Sequence, residues 1–231
     1  MKRERKKRTK LRDRVLPDYT RGEEIFNMVT HIVGGGLGVI ILVLCVILSA
    51  IHKDPWAIVG SAIYGVSMIT LYTMSSIYHG LHPQKATTSK KVMQILDHCT
   101  IYFLIAGTYT PILLTDIREE SPAWCRIIFA IVWGCTALAT TLTAIDLKKY
   151  SAFSMICYLA MGWCIVLALD TAIAAIPLPG LLWILAGGIA YTLGAVLFGL
   201  GKKIRYMHSV FHIFVVLGSL FQFFGIFFYV I

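Results

Sequence analysis

Two histidines four residues apart, His208 and His212, stand in the stretch YMHSVFHIF, and from there to Ile231 no residue is charged. On a helix, positions i and i+4 lie about 6 Å apart along the axis and about 40° apart around it, so both imidazoles project from one face and can reach one ion. Two imidazoles hydrogen-bonded inside a helical bundle, or seated at its interface, fit the same spacing. A third imidazole would separate the readings. Three neutral imidazoles bind Zn²⁺ and leave a fourth position for water, the arrangement of catalytic rather than structural zinc. A carboxylate beside that water can take its proton, while the metal lowers the water pKa to about 7 and polarises a carbonyl. Such a set suits hydrolysis of an amide or ester. The chain offers His79 as the third imidazole and Asp97 as the carboxylate. Ser75, four residues before His79, shares its helix face. Its hydroxyl can donate to a developing oxyanion, or simply bond its own helix backbone. Imidazoles also suit Cu, Ni and Fe, so zinc is the first choice of metal rather than a forced one.

The elements that must carry these residues follow from composition. The chain is 58% hydrophobic and 14% charged with mean hydropathy +0.75, outside the range of a soluble globular domain. It reads as an all-α integral membrane protein of the cell membrane. Apolar stretches long enough to cross hydrocarbon place seven spans at Val29–Ile51, Ala57–Gly80, Val92–Thr115, Ala123–Ala144, Ser151–Leu169, Leu181–Leu200 and Tyr206–Ile231. With the N-terminus cytoplasmic and the C-terminus outside, Lys85, Lys90, Lys91, Lys148, Lys149, Lys202, Lys203 and Arg205 fall in cytoplasmic loops, as the positive-inside rule asks. The second span then ends, and the third and seventh begin, at one membrane face. That alternation brings His79, Asp97 and His208/His212 to a common depth. An imidazole or carboxylate within a span is costly, about 2.5–3.5 kcal/mol for Asp, which makes each of them a functional candidate.

Residues 1–22 form a basic cytoplasmic tail and 23–231 the seven-helix domain. The tail opens MKRERKKRTKLRDR. Contact with anionic lipid headgroups accounts for it better than nucleic-acid binding, and no apolar region follows directly as a cleavable signal would require. The six cysteines lie in or beside apolar spans without a Cys-x-x-Cys clip, so they imply neither a disulfide framework nor a thiolate site. Gly34, Gly35, Gly36 and Gly38 lack the Gly-Lys-Ser/Thr of a phosphate loop and fit close helix packing.

Ser75-Ser-Ile-Tyr-His79, then Asp97 in DHCTIYFLIAGTYTP, then His208-Ser-Val-Phe-His212, in this order on a seven-span chain, resemble the hemolysin III and progestin/adiponectin receptor family. That family is part of a superfamily that includes alkaline ceramidases. Glu24-Ile-Phe-Asn27-Met-Val-Thr30-His31 is similar to its N-terminal motif, and the compact length is similar to the bacterial hemolysin III branch. The resemblance implies His79, His208 and His212 as zinc ligands, with Asp97 and Ser75 beside the metal. It also implies a lipid-facing cavity, hydrolysis of lipid amides, and a part in membrane-fluidity homeostasis. Fold-level kinship does not transfer a substrate. Two other functions stay in view: a receptor-like or regulatory protein that binds lipid over a structural zinc, and a cytolysin. The spans speak against a soluble secreted pore-former.

The remaining candidates have local explanations. Thr20-Arg-Gly-Glu23 fits a capping box. Glu24, Asn27 and His31 form a polar stripe that either supports the metal cavity or makes an interhelical network. His98 points about 100° away from Asp97 and stays outside the ligand set. His52 and His82 are loop residues, Asp170 is an interfacial polar group, and Pro111 is expected to kink or end the third helix.

Overall fold

The structure, a computed structural model, describes residues 8–85, 87–201 and 203–231. Lys202 and the first seven residues of the basic tail lie outside the described residues. Seven helices among those described are long and apolar enough to cross a membrane, and no strand accompanies them. They are α1 (Arg21–Ile51), α2 (Pro55–Gly80), α3 (Thr87–Glu120), α4 (Pro122–Asp146), α5 (Ser151–Ala175), α6 (Leu178–Leu200) and α7 (Met207–Tyr229). The expected all-α, seven-span architecture is what folds, and the chain is a multi-pass membrane protein.

Helix ends follow polar caps rather than the edges of apolar runs. Thr20 accepts from Glu23 N while the Glu23 carboxylate accepts from Thr20 N, so the capping box forms and α1 starts well before the apolar run at Val29. Asp54 and Ser121 cap α2 and α4, each followed by proline, whose missing N–H costs nothing in a first turn. Lys90 and Lys91, expected in a loop, lie in the first turns of α3 and are buried.

α3 is the central helix, with 72% of its apolar window buried. α2 and α4 both pack along it, and α1 packs on α2 while α6 packs on α7. The α1/α2 approach depends on glycine. A Cβ on Gly65 would lie 2.5 Å from Leu42 Cβ, and one on Gly34 would lie 2.7 Å from the Tyr72 ring. At Gly36 nothing lies within 4 Å, so the expected packing role holds for only part of the Gly34–Gly38 stretch.

Two helices are irregular, and both repair the backbone groups they release. Pro111 does not end α3. The helix passes into a π-helical stretch, Leu113–Ile117, where Thr115 Oγ1 donates to Pro111 O and Arg118 Nε to Leu114 O. α5 breaks after Gly162 and continues as a 3-10 turn, Cys164–Ala168, before resuming at Leu169. Tyr109 fills the gap. Its hydroxyl donates to Gly162 O at 2.8 Å and accepts from Ile165 N at 3.2 Å. Within a bilayer such free groups need a protein partner, since no water replaces one.

Candidate metal centre

His79 occupies the last turn of α2, and His208 and His212 the first turns of α7. All three are buried. Their ligand atoms lie within 4.8 Å of one another, the one such group of three or more His, Cys, Asp or Glu among the described residues. His208 Nε2 and His212 Nε2 are 3.1 Å apart. Two nitrogens on one tetrahedral Zn²⁺ at 2.0–2.1 Å would be separated by about 3.3 Å, so the spacing fits a shared ion.

The third imidazole is oriented from behind. His79 Nδ1 lies 2.6 Å from Glu24 Oε2 on α1. A carboxylate only accepts, so the proton sits on Nδ1 and the Nε2 lone pair is left for a metal. Nε2 is buried and finds no hydrogen-bond partner among the described residues. An imidazole held by a carboxylate on one nitrogen and unsatisfied on the other is the usual state of a metal-ligating histidine without its ion. The residues present therefore fit a metal.

The rest of the Glu24, Asn27, His31 stripe faces the same place. Asn27 Nδ2 is 3.5 Å from His79 Nδ1. The His31 ring stacks on His212 with centroids 3.8 Å apart, and both His31 nitrogens are buried without hydrogen-bond partners among the described residues. Glu23 does more than cap α1. Its Oε1 accepts from Tyr206 N at 2.8 Å, and Arg205 pairs with its other oxygen at 3.6 Å. Tyr206 has φ 61°, the left-handed turn from which α7 starts two residues before His208. Adjacent glutamates on α1 thus hold the two helices that bring the imidazoles: Glu23 the start of α7, Glu24 the end of α2.

Asp97 and Ser75 open onto a cavity of about 140 Å³ together with His31, His208 and His212. Its wall is mostly apolar, from Ile101 and Ile105 on α3 to Trp163 on α5 and Phe198 on α6. Asp97 is not among the clustered ligand atoms and stands beside them on α3. Ser75 Oγ is buried beside the Asp97 carboxylate. His98, as expected, stays out of the trio: its Nδ1 faces Gln94 O at 2.8 Å. Asp170 is exposed, and all six cysteines are free.

Two residues at the centre escape sequence reasoning. Tyr19, just before the cap of α1, stacks on His208 with ring centroids 5.0 Å apart and lies 5.8 Å from the His79 ring. Burial pushes its phenol up, and the nearby Asp97, Glu24 and Glu23 push it further, so it stays protonated. The other is Lys90, whose ammonium meets Glu24 Oε1 at 2.8 Å. No spacing rule links either residue to the histidines.

The model of the family described as Haemolysin-III related matches residues 19–223. The chain belongs to the Haemolysin-III related family. It is 37% identical over 209 residues to Hemolysin-3 of Bacillus cereus, covering 90% of this chain and 92% of that one. It is 35% identical over 211 residues to the Hemolysin-3 homolog of Bacillus subtilis (strain 168), covering 91% and 96%. The monocyte to macrophage differentiation factor of Homo sapiens is 27% identical over 203 residues, covering 87% and 79%. The match spans both glutamates of α1 and all three imidazoles, so the centre lies inside the family's shared region.

Proposed function

We propose that this Haemolysin-III family member is a membrane-embedded zinc hydrolase that cleaves the acyl amide or ester linkage of a lipid and so adjusts membrane lipid composition and fluidity. The observation that carries this reading is the convergence of three buried imidazoles on one point beside an apolar cavity that also holds Asp97 and Ser75. His79, His208 and His212 would hold the ion. Zn²⁺ bound by three imidazoles supplies Lewis acidity, acidifying a water toward a pKa of about 7 and polarising a carbonyl. Asp97 then accepts the proton of the attacking water at a carboxylate oxygen and passes it to the leaving amine or alcohol. Ser75 Oγ donates to the oxygen of the reacting carbonyl as charge develops there. The apolar wall seats an acyl chain and keeps bulk water out. Glu24 keeps His79 in the tautomer that leaves Nε2 unprotonated.

A second reading, zinc as a structural ion under a bound but uncleaved lipid, draws on Tyr19, whose ring over His208 closes the centre on one side. Comparative lipidomics of cells expressing the parent chain, Asp97→Asn and His208→Ala tests between them. Turnover requires that both variants lose the same lipid change, while Asp97→Asn still purifies with zinc. Under the second reading Asp97→Asn behaves as the parent. Permeabilisation of other membranes, the third possibility, would instead show as leakage from liposomes that survives loss of the histidines.

In the orientation we propose, the metal centre and the N-terminus lie on the cytoplasmic side and the C-terminus outside. The basic tail then meets anionic headgroups of the inner leaflet.

A further inference from the structure

Lys90 is the most completely buried charge near the centre, with only 1% of its side chain exposed. Removing an ammonium from water costs several kcal/mol unless each of its donors is met. An ammonium has three N–H donors. Lys90 places them on Glu24 Oε1 at 2.8 Å, Tyr78 O at 2.9 Å and Leu81 O at 2.9 Å. The two carbonyls belong to the end of α2, where the backbone's own acceptors run out and a cation is favoured. His79 lies between them in the chain. The other oxygen of the same Glu24 carboxylate faces His79 Nδ1. One side chain of α3 therefore grips the backbone on both sides of His79 and the carboxylate that orients its ring. The Tyr78 ring lies under the ammonium at 4.8 Å and completes the enclosure.

We infer that Lys90 is a positioning residue for the metal centre: through Glu24 and the last turn of α2 it fixes the ring of His79 so that Nε2 faces the ion. This rests on the zinc reading above. Guanidinium cannot substitute, because its planar fork does not reach three acceptors set around one point.

The test measures Zn²⁺ affinity of detergent-purified protein by competition with a chromophoric chelator. Lys90→Met keeps the aliphatic stem and is expected to weaken zinc binding about 10–100-fold, the usual effect of losing a partner behind a ligand. Glu24→Ala is expected to weaken it similarly, and the double variant by less than the sum of the two losses, since the Lys90–Glu24 contact is shared. A merely structural Lys90 would lower the melting temperature and leave the affinity of the folded fraction unchanged. Parental affinity in folded Lys90→Met, or losses that simply add, would overturn the inference. If Lys90→Met does not fold, Lys90→Arg serves: it keeps the charge but cannot meet all three acceptors, and it should lose zinc affinity in the same range; unchanged affinity overturns the inference there too. A parent chain that binds no zinc removes the metal reading and this inference together. Binding by the parent with unchanged variants removes this inference alone.

Discussion

The two ring nitrogens of His79 stand in different surroundings, Nδ1 against Glu24 and Nε2 buried without a hydrogen-bond partner among the described residues. Asp97 is placed differently, beside the imidazoles and facing the cavity, which suits a group that handles protons rather than binds metal. Asp97→Asn keeps size and shape but cannot accept a proton. It should lower hydrolysis about 10²–10⁴-fold with zinc content unchanged, measured as release of fatty acid from lipid in proteoliposomes. His79, Asp97, His208 and His212 stood out because imidazoles and carboxylates in apolar spans are rare and costly, and Ser75 through its four-residue spacing from His79. Lys90 was not, since a lysine next to a span reads as a loop anchor until the α2–α3 turn is known to fold it back onto Glu24. Tyr19 was hidden for the same reason: its contact depends on where the chain enters α1.

At the scale of elements, hydropathy gives the number and order of helices because a span must hide about 20 residues of backbone in its own hydrogen bonds. It does not show where that bonding is interrupted. The break at Gly162 carries no proline, and the π-helical stretch follows Pro111 inside a helix that looks as though it should end there. Tyr109→Phe tests how the break is sustained. It removes the hydroxyl that serves both Gly162 O and Ile165 N, and it should destabilise the folded protein by about 1–3 kcal/mol. Thermal unfolding in detergent would show a lower midpoint with zinc content retained. A midpoint equal to the parent's would mean that another group satisfies the break.

For the whole molecule, the alternation of spans is what turns distant residues into one centre. His79 lies in the last turn of α2, Asp97 about three turns into α3 and the last two imidazoles in the first turns of α7, so helices running in opposite directions deliver them to the same end of the bundle. α1 starts at that end as well, which lets Glu23 and Glu24 reach α7 and α2. The proposed orientation puts this end in the cytoplasm. A fluorescent protein fused at the N-terminus should glow and an alkaline phosphatase fused at the C-terminus should be active; the opposite pair of results would invert the topology.

If three helix-borne imidazoles hold one zinc ion, elemental analysis of purified protein reads that ion out. The expected result is about one Zn²⁺ per chain in the parent and little in His79→Ala, His208→Ala or His212→Ala, each folded by its melting profile. A parent chain that purifies without zinc, or zinc content unchanged by all three substitutions, would contradict it.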